Sequence, residues 1–308
     1  MAIVPRLHYG EKALMNRQSI LHALKPVLLL APFLVLLFLI FVGLFRTLLQ
    51  SLGYIPEVNQ TAFTLEYYIA EMTNGTLPVE IGRSIGISLL ASVIICVLGV
   101  LIAWCIVTVY EGKGIFFHIS KIPMLMPLSV VCLCATTLLT STGVLSRILT
   151  TMGWEGAEQF FGGVLFQPNS IGVLFVFVFN LTSYFVYMTI DIMNRISSSL
   201  GEAALNLGAS RWASFRSVVL PSCMPSIRHT FIFVFVLIFG NYEVPKLVAS
   251  SVDVLLPVRS YVEYANLHII PHRPNAMVIN IIMLAIAALV VLAIHIWDLH
   301  ENKKWGAR

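Results

Sequence analysis

Five long stretches of this chain carry no charged side chain. They lie between Lys25 and Arg46, Arg83 and Glu111, Lys121 and Arg147, Glu158 and Asp191, and Arg273 and Asp298. A sixth, shorter stretch runs from His229 to Tyr242 behind Arg228. About 20 mostly apolar residues suffice for a helix to cross the hydrocarbon core of a bilayer. In that medium every backbone donor and acceptor has to find its partner within the segment, which a helix achieves. The pattern therefore predicts an all-α, polytopic membrane protein with six spans, near residues 26–45, 84–109, 122–142, 169–190, 226–243 and 275–297. Only 11% of the 308 residues are charged, against about 25% in an ordinary soluble domain. A soluble fold of this size is excluded, because its surface would lack charge. The first apolar stretch ends in Gly43-Leu44-Phe45-Arg46 without a small-residue cleavage site, so it reads as a retained span. The expected organisation is a cytoplasmic segment at 1–25, one membrane domain over 26–298 and a cytoplasmic tail at 299–308.

Orientation follows from lysine and arginine, which are retained on the cytoplasmic side. With both termini inside, the outer loops hold Arg46, Arg83, Arg147, Lys246, Arg259 and Arg273, and the other lysines and arginines all lie inside. The formal charge of +4 thus reports topology and gives no reason to expect a nucleic-acid partner. The first outer loop, about 46 to 83, carries Glu57, Glu66, Glu71 and Glu80, and the last runs from about 243 to 275. Cys96, Cys105, Cys132 and Cys134 sit in apolar runs and Cys223 in a loop, none with metal spacing. His268 and His272 are four apart, but Pro271 stands between them, so neither a disulfide nor a metal site is expected.

The longest inner connection, about 191 to 228, is a polar island between apolar spans. Leu200, Ala203, Ala204 and Leu207 fall on one helical face, with Glu202 and Asn206 off it. Gly208 stands where a helix end favours a left-handed residue. Ser210 is placed to cap a second short helix in which Trp212, Phe215 and Val219 share a face. Leu220-Pro221 is expected to end that helix. The result is a helix-turn-helix bracket over 196–221, with an apolar face to pack and a polar face to present. On these residues alone it suits either a linker lying on the bilayer, with Arg211 and Arg216 near headgroups, or a docking element for a cytosolic partner.

The run Glu202-Ala203-Ala204, Gly208-Ala209-Ser210, Phe215, Val218, Leu220-Pro221, Pro225 and Ile227 closely resembles the EAA loop of binding-protein-dependent ABC importer permeases. Pro123-Met124-Leu125-Met126-Pro127 resembles the paired prolines that open a core helix in that family. Phe239-Gly240-Asn241-Tyr242-Glu243-Val244-Pro245 is similar to the end of span five in its polyamine, iron, thiamine and aminophosphonate branch. One departure is the Ile-Pro that many relatives carry before the glutamate, since Ile196 here precedes Ser197.

The resemblance implies that Glu202, Ala203, Ala204, Leu207, Gly208, Ala209, Ser210 and Arg211 couple the spans to an ATPase. It also implies two ATP-binding subunits holding ATP and magnesium, a second related permease, an extracytoplasmic binding protein, and a home in the bacterial inner membrane among lipid. The chain has no Walker-type phosphate loop, and Gly112-Lys113-Gly114 is not one. It is therefore expected to bind no cofactor and hydrolyse nothing itself. Polar residues inside spans usually face the protein interior or a cavity. Asn180 and Tyr184 in span four, and Asn241, Tyr242 and Glu243 at the end of span five, are thus candidates for a translocation pathway. Thr182 and Ser183 read instead as helix-to-helix hydrogen bonders. A carboxylate at Glu243 would suit a cationic solute such as a polyamine, or could pair with Lys246. Two other classes remain: an ion-gradient carrier, which would need paired broken helices, and a non-transporting scaffold.

Overall fold

The computed structural model describes residues 8–73, 75–110, 114–252 and 254–306, with side-chain surroundings only between Leu30 and His300. The start of the expected 1–25 segment, Lys113 of the glycine-lysine-glycine run and the last residues of the tail lie outside the described residues. Among the described residues six helices are long and apolar enough to span a membrane: Leu30–Ser51, Leu77–Val109, Leu128–Thr151, Ile171–Asn206, Arg211–Phe239 and Ile269–His300. No strand occurs among the described residues, apart from one isolated bridge between Ile55 and Gln60. These helices are called spans one to six below.

Spans two to five form the interior. Ala91, Ile95, Phe177, Phe185, Val234 and Ile238 meet in one buried apolar cluster. Gly99 of span two sets its closest approach, since a Cβ there would stand 2.5 Å from the Phe185 ring of span four. A second cluster at the outer end joins Leu77, Phe235, Phe239, Leu256 and Ile279. Span one leaves Phe33, Leu36, Phe38 and Phe41 each more than 60% exposed, as a helix facing hydrocarbon does.

Span three begins broken. Ile122–Leu125 is a single turn, Met126 is extended, and the helix resumes at Leu128 behind Pro127. The break frees backbone carbonyls that a proline-interrupted helix cannot satisfy. Asn180 of span four supplies the missing donor: its Nδ2 donates to the carbonyls of Pro123 (2.6 Å) and Met126 (3.0 Å). Asn180→Ala is expected to cost about 1–3 kcal/mol, the penalty for buried acceptors left unpaired. Thermal unfolding of the detergent-solubilised protein reads the loss, and an unchanged midpoint would contradict the tie.

Spans four and five do not stop at the membrane face. Span four continues from Ile196 through a π turn, Ser197–Gly201, into Glu202–Asn206. The second bracket arm runs from Arg211 through another π turn, Phe215–Val219, directly into span five. Leu220-Pro221 therefore does not end a helix, contrary to the sequence expectation. Pro221 follows directly on the π turn Phe215–Val219, where the continuing helix gives up the backbone bond that proline cannot make. Each arm is thus the end of a continuous rod, about 54 Å long for Ile171–Asn206 at 1.5 Å per residue.

Candidate functional site

The bracket is built by the end of one rod and the start of the next. At the turn, Ala209 N–H donates to the Ala204 carbonyl (3.1 Å) and Gly208 N–H to that of Leu205 (2.9 Å). That is the paired bonding of a Schellman helix end, and it requires a left-handed residue. Gly208 provides it at φ +90. Ser210 then caps the second arm, its Oγ accepting from Ala213 N–H at 3.2 Å. The arms are pinned where Ser214 Oγ donates to the buried Gly201 carbonyl (3.0 Å). A Cβ on Gly201 would come within 3.3 Å of both Val219 and Ser197, so the arms touch closely there.

The direction of the apolar stripe differs from the sequence expectation. Leu200, Ala203 and Leu207 face outward, and Leu207 at the tip is 89% exposed. Ser197, Gly201 and Leu205, the neighbouring register, face inward instead and line a cavity of about 190 Å³ with Glu202, Arg211 and Trp104. Of the expected stripe Ala204 is half-buried, while Leu200, Ala203 and Leu207 are left uncovered by this chain. Glu202, Gly208 and Ser210 are exposed, Ala204 and Ala209 are half-buried, and beyond its two chain neighbours Gly208 has nothing within 4 Å of a Cβ position. On the second arm Phe215 and Val219 are buried as expected. The ring of Trp104 in span two packs against this arm, and nothing in the sequence around it marks it out.

The five other candidates separate into two groups. Asn180 is committed to span three, as described above, and Tyr184 stacks on Phe233 of span five with ring centres 5.4 Å apart. Asn241, Tyr242 and Glu243 lie together at the outer end of span five. Asn241 Oδ1 accepts from Val244 N–H at 2.9 Å and so starts the short helix Glu243–Val248. Glu243 opens that helix, where a negative charge is favoured, and no salt bridge joins it to Lys246. Tyr242 stacks on Tyr261, ring centres 4.4 Å apart. Both rings line an open cavity of about 280 Å³ with Ser260, Tyr264 and Asn280. Ser260 Oγ bonds Asn280 Oδ1 at 2.7 Å. Asn280 was legible, being the lone polar residue of the stretch Ala276 to Val291.

Two outer loops are locked by charge. Arg259, on the helix Leu256–Tyr264, donates to Glu71 and Glu80, each at 2.6 Å. The three side chains are 12%, 4% and 16% exposed. Burial pushes the Glu71 carboxyl above its ordinary value, with the Arg259 guanidinium pulling the other way. Beside them His272 Nδ1 meets Glu263 at 2.5 Å. Of the acids expected to colour the first outer loop, Glu71 and Glu80 are thus withdrawn from the surface.

Residues 111–299 match a family described as the binding-protein-dependent transport system inner membrane component. The sulfate transport system permease protein CysT of Synechocystis sp. is 26% identical over 225 residues, 72% of each chain. The inner membrane ABC transporter permease protein YdcU of Escherichia coli is 29% identical over 174 residues, 54% of this chain and 56% of its own. Among solved structures, a bacterial ABC transporter involved in the import of the acidic polysaccharide alginate superposes with a TM-score of 0.72 at 19% identity. The match covers 93% of this chain and 97% of that one.

Proposed function

This chain belongs to the family of binding-protein-dependent transport system inner membrane components, the permeases of ABC importers, and from that premise we propose that it forms one half of a solute pathway driven from its bracket. A multi-pass inner-membrane protein of this family needs an energy source. Two separate subunits, holding ATP and magnesium, would supply it by seating on Glu202 to Arg211. The observation that carries it is Leu207. A leucine 89% exposed, held at the tip of a left-handed turn by two continuous rods, is suited to entering a partner's groove. A surface linker would instead bury that leucine in lipid and leave the rods without a load.

The same reading gives the chain a second, related permease to complete the pathway and an extracytoplasmic binding protein to deliver solute. A solved transporter with this fold was captured with an alginate-bound periplasmic protein. The solute proposed is small and charged. Among the relatives, CysT proteins carry sulfate in their names and none named above carries a polyamine, so a polyamine is supported only by Glu243 and the resemblance of the segment 239–245 around it. Glu243→Gln is expected to lower uptake severalfold through affinity. Unchanged affinity and rate in proteoliposomes would remove Glu243 from the pathway.

Co-expression with a neighbouring ATPase and binding protein tests the function itself. The expected outcome is a complex that purifies intact and takes up solute only with ATP inside the vesicle. Uptake without the ATPase, driven by an ion gradient, would replace this reading with a secondary carrier.

A further inference from the structure

The bracket is covalently continuous with spans four and five, but span two has no chain connection to it. Span two meets the bracket through three rings and one hydrogen bond. Trp104 of span two lies edge-on to Trp212, ring centres 5.3 Å apart at 67°, and against Phe215 at 4.8 Å. Trp212 and Phe215 are themselves 5.5 Å apart, so the three close into a triangle. One turn further along span two, Arg211 Nη1 donates to the Thr108 carbonyl at 3.3 Å. Phe215 is 3% exposed and Trp212 52%, so the triangle has one buried corner and one on the surface.

We propose that Trp104 is a positioning residue that passes movement of the bracket to span two. It rests on the coupling role proposed above and adds the route. Aromatic rings at these separations and tilts attract beyond simple area burial and hold a preferred geometry. The contact is therefore stiff where a patch of aliphatic side chains would slide. The cavity of about 190 Å³ beside it, lined by Trp104, Glu202, Arg211 and Phe215, leaves the bracket room to pivot without breaking the triangle. Span two is in turn wedged against span four at Gly99 and Phe185, so a push on Trp104 reaches the helices that Asn180 and the core hold together. Coupling needs such a contiguous contact between elements that take two arrangements.

The test uses the assembled transporter, with its ATPase subunits and binding protein, in proteoliposomes. Trp104→Ala is expected to keep the ATPase subunits bound and basal ATP hydrolysis within about twofold. Stimulation by loaded binding protein, and uptake, are expected to fall at least tenfold, and Trp104→Phe to restore at least half of both. A merely structural role would lower retention, basal hydrolysis and stimulation together, and that result overturns the proposal, as does full stimulation in Trp104→Ala. Should Trp104→Ala fail to accumulate, Trp212→Ala at the exposed corner tests the same contact, with the same expected loss and the same overturning result. A wild-type chain that binds no ATPase subunit would instead defeat the docking reading, an outcome read separately before any variant is compared.

Discussion

Gly208→Asp is expected to abolish uptake while the chain remains in the membrane at wild-type amounts. Two separate effects are expected from that substitution. The backbone at φ +90 is one that a residue with a Cβ adopts at a cost on the order of 1–3 kcal/mol. That strain falls on an exposed turn outside the buried clusters, so insertion and span packing survive it. The larger effect is positional. Beyond its two chain neighbours nothing lies within 4 Å of the Cβ, so the new carboxylate stands in open space at the turn, in the way of the proposed ATPase partner. Gly208→Ala separates the two, since it imposes the strain without a charge and is expected to keep a sizeable part of uptake. Quantitative uptake, with membrane abundance measured by immunoblot, checks both variants. Normal uptake by Gly208→Asp would remove the bracket from the coupling route.

Arg259→Ala is expected to cause a large loss of stability. Removing the guanidinium leaves Glu71 and Glu80 buried, close together and uncompensated, and breaking a buried ion pair costs about 3–5 kcal/mol. The outer loops at 66–73 and 256–264 then lose their shared lock. The loss also depends on pH in a definite direction. The Glu71 carboxyl already titrates above its ordinary value because it is buried, and without Arg259 it rises further. A raised carboxyl favours the folded state when protonated, so its penalty is absent below the ordinary glutamate range and returns as pH climbs through the folded value. Arg259→Ala is therefore expected to unfold many degrees below wild type at pH 7.5 and to recover part of that gap near pH 5. Adding Glu71→Gln and Glu80→Gln restores stability at neutral pH by removing the stranded charges. A thermal midpoint unchanged at both pH values would contradict the lock.

The six spans were legible because hydrocarbon imposes one rule on every residue within it, and the uncharged runs show that rule directly. Gly208 and Ser210 were legible for a related reason: a helix end is a local problem with few solutions, and both solutions appear as residue types. The lengths of spans four and five were not. Ser197-Ser198-Ser199 and Leu220-Pro221 look like punctuation, yet the helices pass through both, with π turns taking up the misfit. The outward direction of Leu200 and Leu207 was hidden because an apolar stripe does not state whether its cover is the same chain or another. Arg259 reaches Glu71 across 188 positions, and Asn180 reaches Pro123 across 57. Long-range pairs of this kind leave no periodic trace, so nothing in the sequence ties Asn180 to its two carbonyl partners. Trp104 was missed for the same reason, since a tryptophan in a span is ordinary until its ring partners are known.

The central claim is that the bracket tip receives its drive from a separate ATP-binding subunit. A photo-crosslinking amino acid placed at Leu207 of the assembled, transporting complex tests it most directly. The expected result is a crosslinked product between this chain and the ATP-binding subunit, with a yield that changes between nucleotide-free and ATP-bound states. A complex that transports normally while the probe at 207 labels only lipid would contradict it.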